Sequence, residues 1–231
     1  MGPDRLGPGT ADPDPLARSH WTGLSPSGLR LAWTLLAAVF VIDVIVQLVT
    51  ALQGGRAALG NSRSLLGMWD LAKAIAVGTA LIYTAGRTAW RPIAALGVLF
   101  LVVGIEDQIA IHGELGRAIG DLVRFDAWIP GIGRYGAINL GEFFAMGLIG
   151  VVAFILIWAG RPAPSQGLSR ARVIFTLLLV AMFLFAGVVD LMTAARHSLT
   201  TVLIEELGER AVLSLSAVYA LSLTWTYPDG G

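Results

Sequence analysis

The chain has 231 residues, 55% of them hydrophobic and only 14% charged, with a formal net charge of zero and a mean hydropathy of +0.72. A soluble domain carries about a quarter charged residues, so this composition belongs to an integral membrane protein. The lack of cysteine excludes disulfides, iron–sulfur clusters and thiolate metal sites, and dispersed basic residues on a neutral chain argue against nucleic acid as a partner.

Residues 1–27 hold five of the ten prolines and little that could be buried. They read as a disordered tail ahead of a transmembrane domain over residues 28–227. The first apolar run starts near Leu31 and carries Asp43 in its middle, which is too long and too polar for a cleaved secretory signal. Six segments reach the roughly 20 residues needed to cross a bilayer about 30 Å thick. They cover residues 30–52, 65–85, 92–115, 136–159, 171–194 and 201–225, and the predicted fold is an all-α bundle of six transmembrane helices in three hairpins. Pro92 suits the first turn of the third helix, and Arg161-Pro162-Ala163-Pro164 stops the fourth. Trp33, Trp69, Trp90, Trp158 and Trp225 fall at or beside predicted ends, as interfacial anchors do.

A tight turn, GRTAWR, joins the second and third segments, whereas residues 116–135 form the longest link. The centre of that link, AIGDLVRFDAWI, is expected to form a short helix in the membrane interface with Trp128 as its anchor. It either caps the bundle or acts as a lid, and capping is the simpler reading. Eight arginines on the side of the termini against six on the other favour a multi-pass topology with both termini cytoplasmic.

The acids follow the hairpins. Asp43, Asp107 and Asp190 lie in the second halves of odd segments, and Asp70, Glu142 and Glu209 in the first halves of even ones. All therefore fall in one half of the bilayer, a pattern suggestive of a tandem hairpin repeat. Residues three or four apart share a helix face, so Asp70 with Lys73, the chain's sole lysine, reads as an intramembrane ion pair. Glu206 and Arg210 can pair in the same way. The string LIEELGER brings three carboxylates within two turns, more than its one arginine neutralises. Buried like charges of this kind need a shared proton or cation.

Two functional expectations follow. In the first, Glu106, Asp107, Glu142, Glu206 and Glu209, with His112 or His197 at the mouth, bind protons or a divalent metal ion such as iron, manganese or zinc. Carboxylate and imidazole ligands from facing helices build such centres, although the Glu-x-x-His pair typical of di-iron bundles is missing. In the second, the acids are paired internally or with a partner's arginines, and the protein is a non-catalytic membrane subunit or scaffold. The bilayer is the expected partner in both, alongside a homo-oligomer or a membrane complex. Haem held by His112 and His197 would sit among carboxylates and is disfavoured. No Ser-His-Asp pattern or phosphate loop marks an enzyme class.

The strings IEDQIAIHGEL and VLIEELGERAVLSLSAVYALSL resemble a loose group of uncharacterised multi-pass bacterial membrane proteins. These carry an acidic, His-containing helix end and a later helix of Leu-Glu-Glu-x-x-Glu type. Here Gly113 separates His112 from Glu114, where the group places the acid directly after the histidine. The resemblance implies where a polar site lies and nothing of its chemistry.

Overall fold

The protein is described here by a computed structural model covering residues 22–59, 64–109, 111–129, 131, 133–185 and 199–227. Among these residues there are eight helices and no strand: α1 (Pro26–Leu59), α2 (Leu65–Thr88), α3 (Arg91–Ile109), α4 (Ile111–Val123), α5 (Phe125–Trp128), α6 (Gly133–Trp158), α7 (Gln166–Phe183) and α8 (Leu199–Thr226). Four segments are long and apolar enough to cross a membrane: Pro26–Gln53 of α1, all of α2, Gly136–Trp158 of α6, and α7. The apolar part of α3, Arg91–Ile105, is shorter.

Local chemistry sets the helix limits. Ser64 caps α2 by accepting a hydrogen bond from the Gly67 amide at 3.2 Å, and Ser165 caps α7 through the Leu168 amide at 3.2 Å. Ala89 takes a left-handed conformation at the end of α2, and α3 restarts at once with Pro92 in its first turn.

One boundary differs from expectation. Residues 22–27, assigned to the tail by composition, pack into the bundle. Leu24 is 1% exposed, the Tyr219 hydroxyl donates to the Thr22 carbonyl at 2.6 Å, and the Ser25 amide donates to Thr226 Oγ1 at 3.3 Å. Gly23 has φ +74° and lies so close to Gly167 that a Cβ would meet its carbonyl oxygen at 2.5 Å, so both backbone shape and space require glycine. The segment 92–115 falls on α3 (Arg91–Ile109) and the start of α4 (Ile111–Val123), with residue 110 outside the described residues. The last part of the fifth segment, with Asp190, and the link carrying His197 lie outside the described residues.

The helices enclose two unlike regions. Val77 and Leu81 of α2, Ile93, Leu96 and Phe100 of α3, Ile157 of α6, Leu168 and Phe175 of α7, and Leu223 of α8 form a dry apolar core. It lies on the side where α1 begins and α8 ends. Phe175 joins its layers, meeting Phe100 edge-on at 6.1 Å and Tyr219 at 5.2 Å between ring centroids. On the outside, Phe144, Leu148, Val151 and Ile155 of α6 recur at helical spacing and are each more than half exposed. So are Phe40, Val41, Ile45 and Leu48 of α1. Such faces suit lipid rather than water.

The amphipathic helix α4 crosses α6 through small residues. Gly116 and Gly120 oppose Ala137 and Gly141, and a Cβ on Gly120 would stand 2.9 Å from the Ala137 carbonyl oxygen. This contact divides α4 into stripes. Gly113, Gly116 and Gly120 face α6, Glu114, Arg117 and Asp121 form a charged edge, and Ile111, Leu115 and Leu122 are exposed. Phe125 of α5 stacks on Phe144 at 5.4 Å, which continues the apolar surface of α6.

Replacing Gly116 by leucine should force α4 off α6 and destabilise the protein by about 1–3 kcal/mol. Gly150→Leu, at a position where a Cβ meets nothing within 4 Å, should stay within about 0.5 kcal/mol of wild type. Unfolding of both variants in bicelles measures the difference.

Candidate functional site

Three helices present polar side chains to one another inside the bundle. On α2, Trp69, Asp70 and Lys73 share a face, because residues three and four apart are neighbours on a helix. On α8, Glu206, Arg210 and Ser214 recur every fourth residue and form a single stripe. Asp43 stands alone in the apolar run of α1. A lone carboxylate there costs at least about 2.5 kcal/mol at the bilayer centre, so it must be met by donors.

Lys73 meets it. Its ammonium group, in a residue 3% exposed, lies 3.1 Å from Asp43 Oδ1, 2.8 Å from Asp70 Oδ1 and 3.0 Å from Ser214 Oγ. Two of the ammonium protons go to Asp43 Oδ1 and Ser214 Oγ, and Asp70 Oδ1 adds an ion-pair contact that is not a hydrogen bond. Asp43 is held from further sides, since Trp69 Nε1 donates to Oδ1 at 2.6 Å and Ser214 Oγ donates to Oδ2 at 2.6 Å. Arg210 extends the network by donating from Nε to Asp70 Oδ2 at 3.2 Å and from Nη2 to Glu206. The result is a ladder of alternating sign, Asp43–Lys73–Asp70–Arg210–Glu206, linking α1, α2 and α8. Each member is shielded, with side-chain exposure of 25% or less.

Both ion pairs expected from spacing, Asp70–Lys73 and Glu206–Arg210, are present. The links between helices were not legible from spacing along one helix. Two signals pointed to them: an acid inside an apolar run needs a partner, and the chain has only one lysine. Trp69, expected to be an interfacial anchor, instead spends its indole N–H on Asp43. Trp90 is likewise buried, and its Nε1 donates to the Arg161 carbonyl at 3.0 Å.

The residues expected to bind a cation are placed as follows. Glu206 belongs to the ladder. Glu142 of α6 is half-buried at the α4 crossing, where its carboxylate lies beside Gly113. Glu209 is half-buried on α8. The side chains of Glu106, Asp107 and His112, and all of His197, lie outside the described residues. Among the described residues no three His, Asp or Glu side chains gather as a metal site requires. No protein-family model, curated protein or solved structure matches this chain.

The ladder's chemistry is cohesion. A buried ion pair is stabilising only relative to its broken form, because removing one partner leaves the other charge in a medium that cannot solvate it. Lys73→Met should destabilise the protein by about 3–5 kcal/mol, leaving two carboxylates without their ammonium group. Ser214→Ala removes a neutral group bonded to both Lys73 and Asp43 and should cost less, about 1–3 kcal/mol. Unfolding in mixed micelles measures both, and equal effects would contradict the central place of Lys73.

Proposed function

We propose that this chain is a six-span integral membrane protein acting as a non-catalytic membrane subunit or scaffold, with its intramembrane acids spent on holding the bundle together. In this reading α3 and α8 join the four apolar spans. At about 1.5 Å per residue, the 28 residues of α8 reach roughly 42 Å, enough to cross a bilayer. The observation that carries the reading is the pairing of Asp43, Asp70 and Glu206 with Lys73, Arg210, Ser214 and Trp69. A transport or catalytic site keeps polar valence for its ligand, whereas the ammonium group of Lys73 is committed to Asp43, Asp70 and Ser214. The amphipathic α4 lies in the interface in this arrangement, with Leu122 and Trp128 toward lipid. The slight arginine excess on the side of the termini favours that side as the cytoplasmic one.

One observation favours a second reading. The Glu142 carboxylate lies at Gly113, the residue next to His112. An oxygen-rich cation site using Glu142, Glu209, Glu106, Asp107, His112 and His197 would be centred there, apart from the ladder. Elemental analysis of protein purified without chelators separates the two readings. The scaffold reading expects no stoichiometric iron, manganese or zinc, and the same melting temperature with and without EDTA. About one equivalent of metal, lost in Glu142→Gln, would replace it with the cation-site reading.

A further inference from the structure

The end of the bundle opposite the ladder has its own charge pattern. Arg30, Arg87, Arg91, Arg161, Arg170 and Arg172 all lie on the side where α1 begins and α8 ends. Every acid whose side chain is described, from Asp43 to Glu209, lies in the other half. One corner of the arginine-rich end is also built. The α2–α3 turn meets the α6–α7 connection, where Gly160 packs so closely on Pro92 that a Cβ would stand 2.6 Å from its Cγ. The buried Trp90 pins the Arg161 backbone through its indole N–H. The Arg172 guanidinium lies over the Trp158 ring at 4.3 Å and 5.9 Å from the centroid of Trp90. Trp158 is itself oriented, since its Nε1 donates to Thr176 Oγ1 at 3.1 Å.

Three arginines from separate segments therefore lie about Trp90: Arg91, its exposed neighbour in the chain, Arg161, exposed and held by its carbonyl, and Arg172, half-buried and stacked. A guanidinium stacked on an aromatic face directs its N–H groups outward in its own plane, the geometry that receives phosphate oxygens. Below this corner, Leu156 of α6 and Val173 and Leu177 of α7 are exposed and apolar. A phosphate bound at the arginines thus has a surface beneath it that suits acyl chains. We propose that this corner binds the phosphate headgroup of an anionic phospholipid, with Arg91, Arg161 and Arg172 supplying the charge and the α6 and α7 faces seating the chains. The proposal rests on the membrane-spanning reading of these helices and extends it to a specific lipid class. Phospholipid is preferred to free phosphate because the site lies at the head of an exposed apolar surface.

The test uses the full-length protein in nanodiscs of phosphatidylcholine mixed with phosphatidylglycerol, followed by native mass spectrometry of the retained lipid. Wild type should keep phosphatidylglycerol over phosphatidylcholine severalfold. The double variant Arg91→Gln/Arg161→Gln, which changes only exposed side chains, should bring that preference close to equality. Arg172→Lys keeps the charge without the planar stack and should lower the preference partway. Arg117→Gln, on the other side of the bundle, should leave it unchanged. Added inorganic phosphate should not displace the lipid. Equal retention of the two lipids by wild type, an unchanged preference in the double variant, or displacement by inorganic phosphate would each overturn the proposal. A failure of the membrane reading itself would show separately, as protein that does not enter nanodiscs at all.

Discussion

The bundle depends on one ammonium group. Lys73 is the chain's only lysine, it is buried, and it can sit there only because Asp43, Asp70 and Ser214 surround it. The three groups come from three different helices, so satisfying one cation fixes the positions of α1, α2 and α8 together. The constraint matters most for α1. Much of that helix is exposed and apolar, which gives it little packing of its own inside the protein. In lipid, apolar surface alone gives one helix no reason to prefer another, because the chains around it are equally apolar. Asp43 supplies the reason. With its carboxylate in the ladder, both the depth and the rotation of α1 are set.

The two halves of the molecule are held by different physics. On the side of the termini, Phe100, Phe175 and Tyr219 interlock with small and branched residues, and Thr22–Ser25 tucks back onto the end of α8. On the other side, shape gives way to charge and to glycine. The ladder ties α1, α2 and α8, while Gly116, Gly120 and Gly141 let α4 approach α6 backbone to backbone. The same division orders the charge, since among the described residues every acid with a described side chain lies in the polar half. Cohesion by alternating charge accounts for Asp43, Asp70 and Glu206 lying together in that half.

The helical class and most of the apolar spans were legible because an apolar run of about twenty residues matches the thickness of the hydrocarbon core and is too apolar to lie in water. The within-helix pairs were legible because Asp70–Lys73 and Glu206–Arg210 obey helical spacing. The cross-helix links Asp43–Lys73 and Arg210–Asp70 were not, since spacing along one helix carries no information about its neighbours. Tryptophan misled for a related reason. Trp69 and Trp90 sit near helix ends, where the ring is often an anchor, yet each has its N–H committed to a partner inside the protein. Residues 22–27 read as tail because proline, glycine and serine dominate them, but Leu24 and two backbone hydrogen bonds bind them to the bundle.

The central claim is that the Asp43–Lys73 ion pair couples α1 to α2. A double-mutant cycle with Asp43→Asn, Lys73→Met and the combined variant, unfolded reversibly in bicelles, tests it most directly. If each single change strands a buried charge, the combined variant should be less damaged than the sum of the two, with a coupling above about 1 kcal/mol. Additive losses would mean that the two groups do not depend on each other, and would contradict the claim.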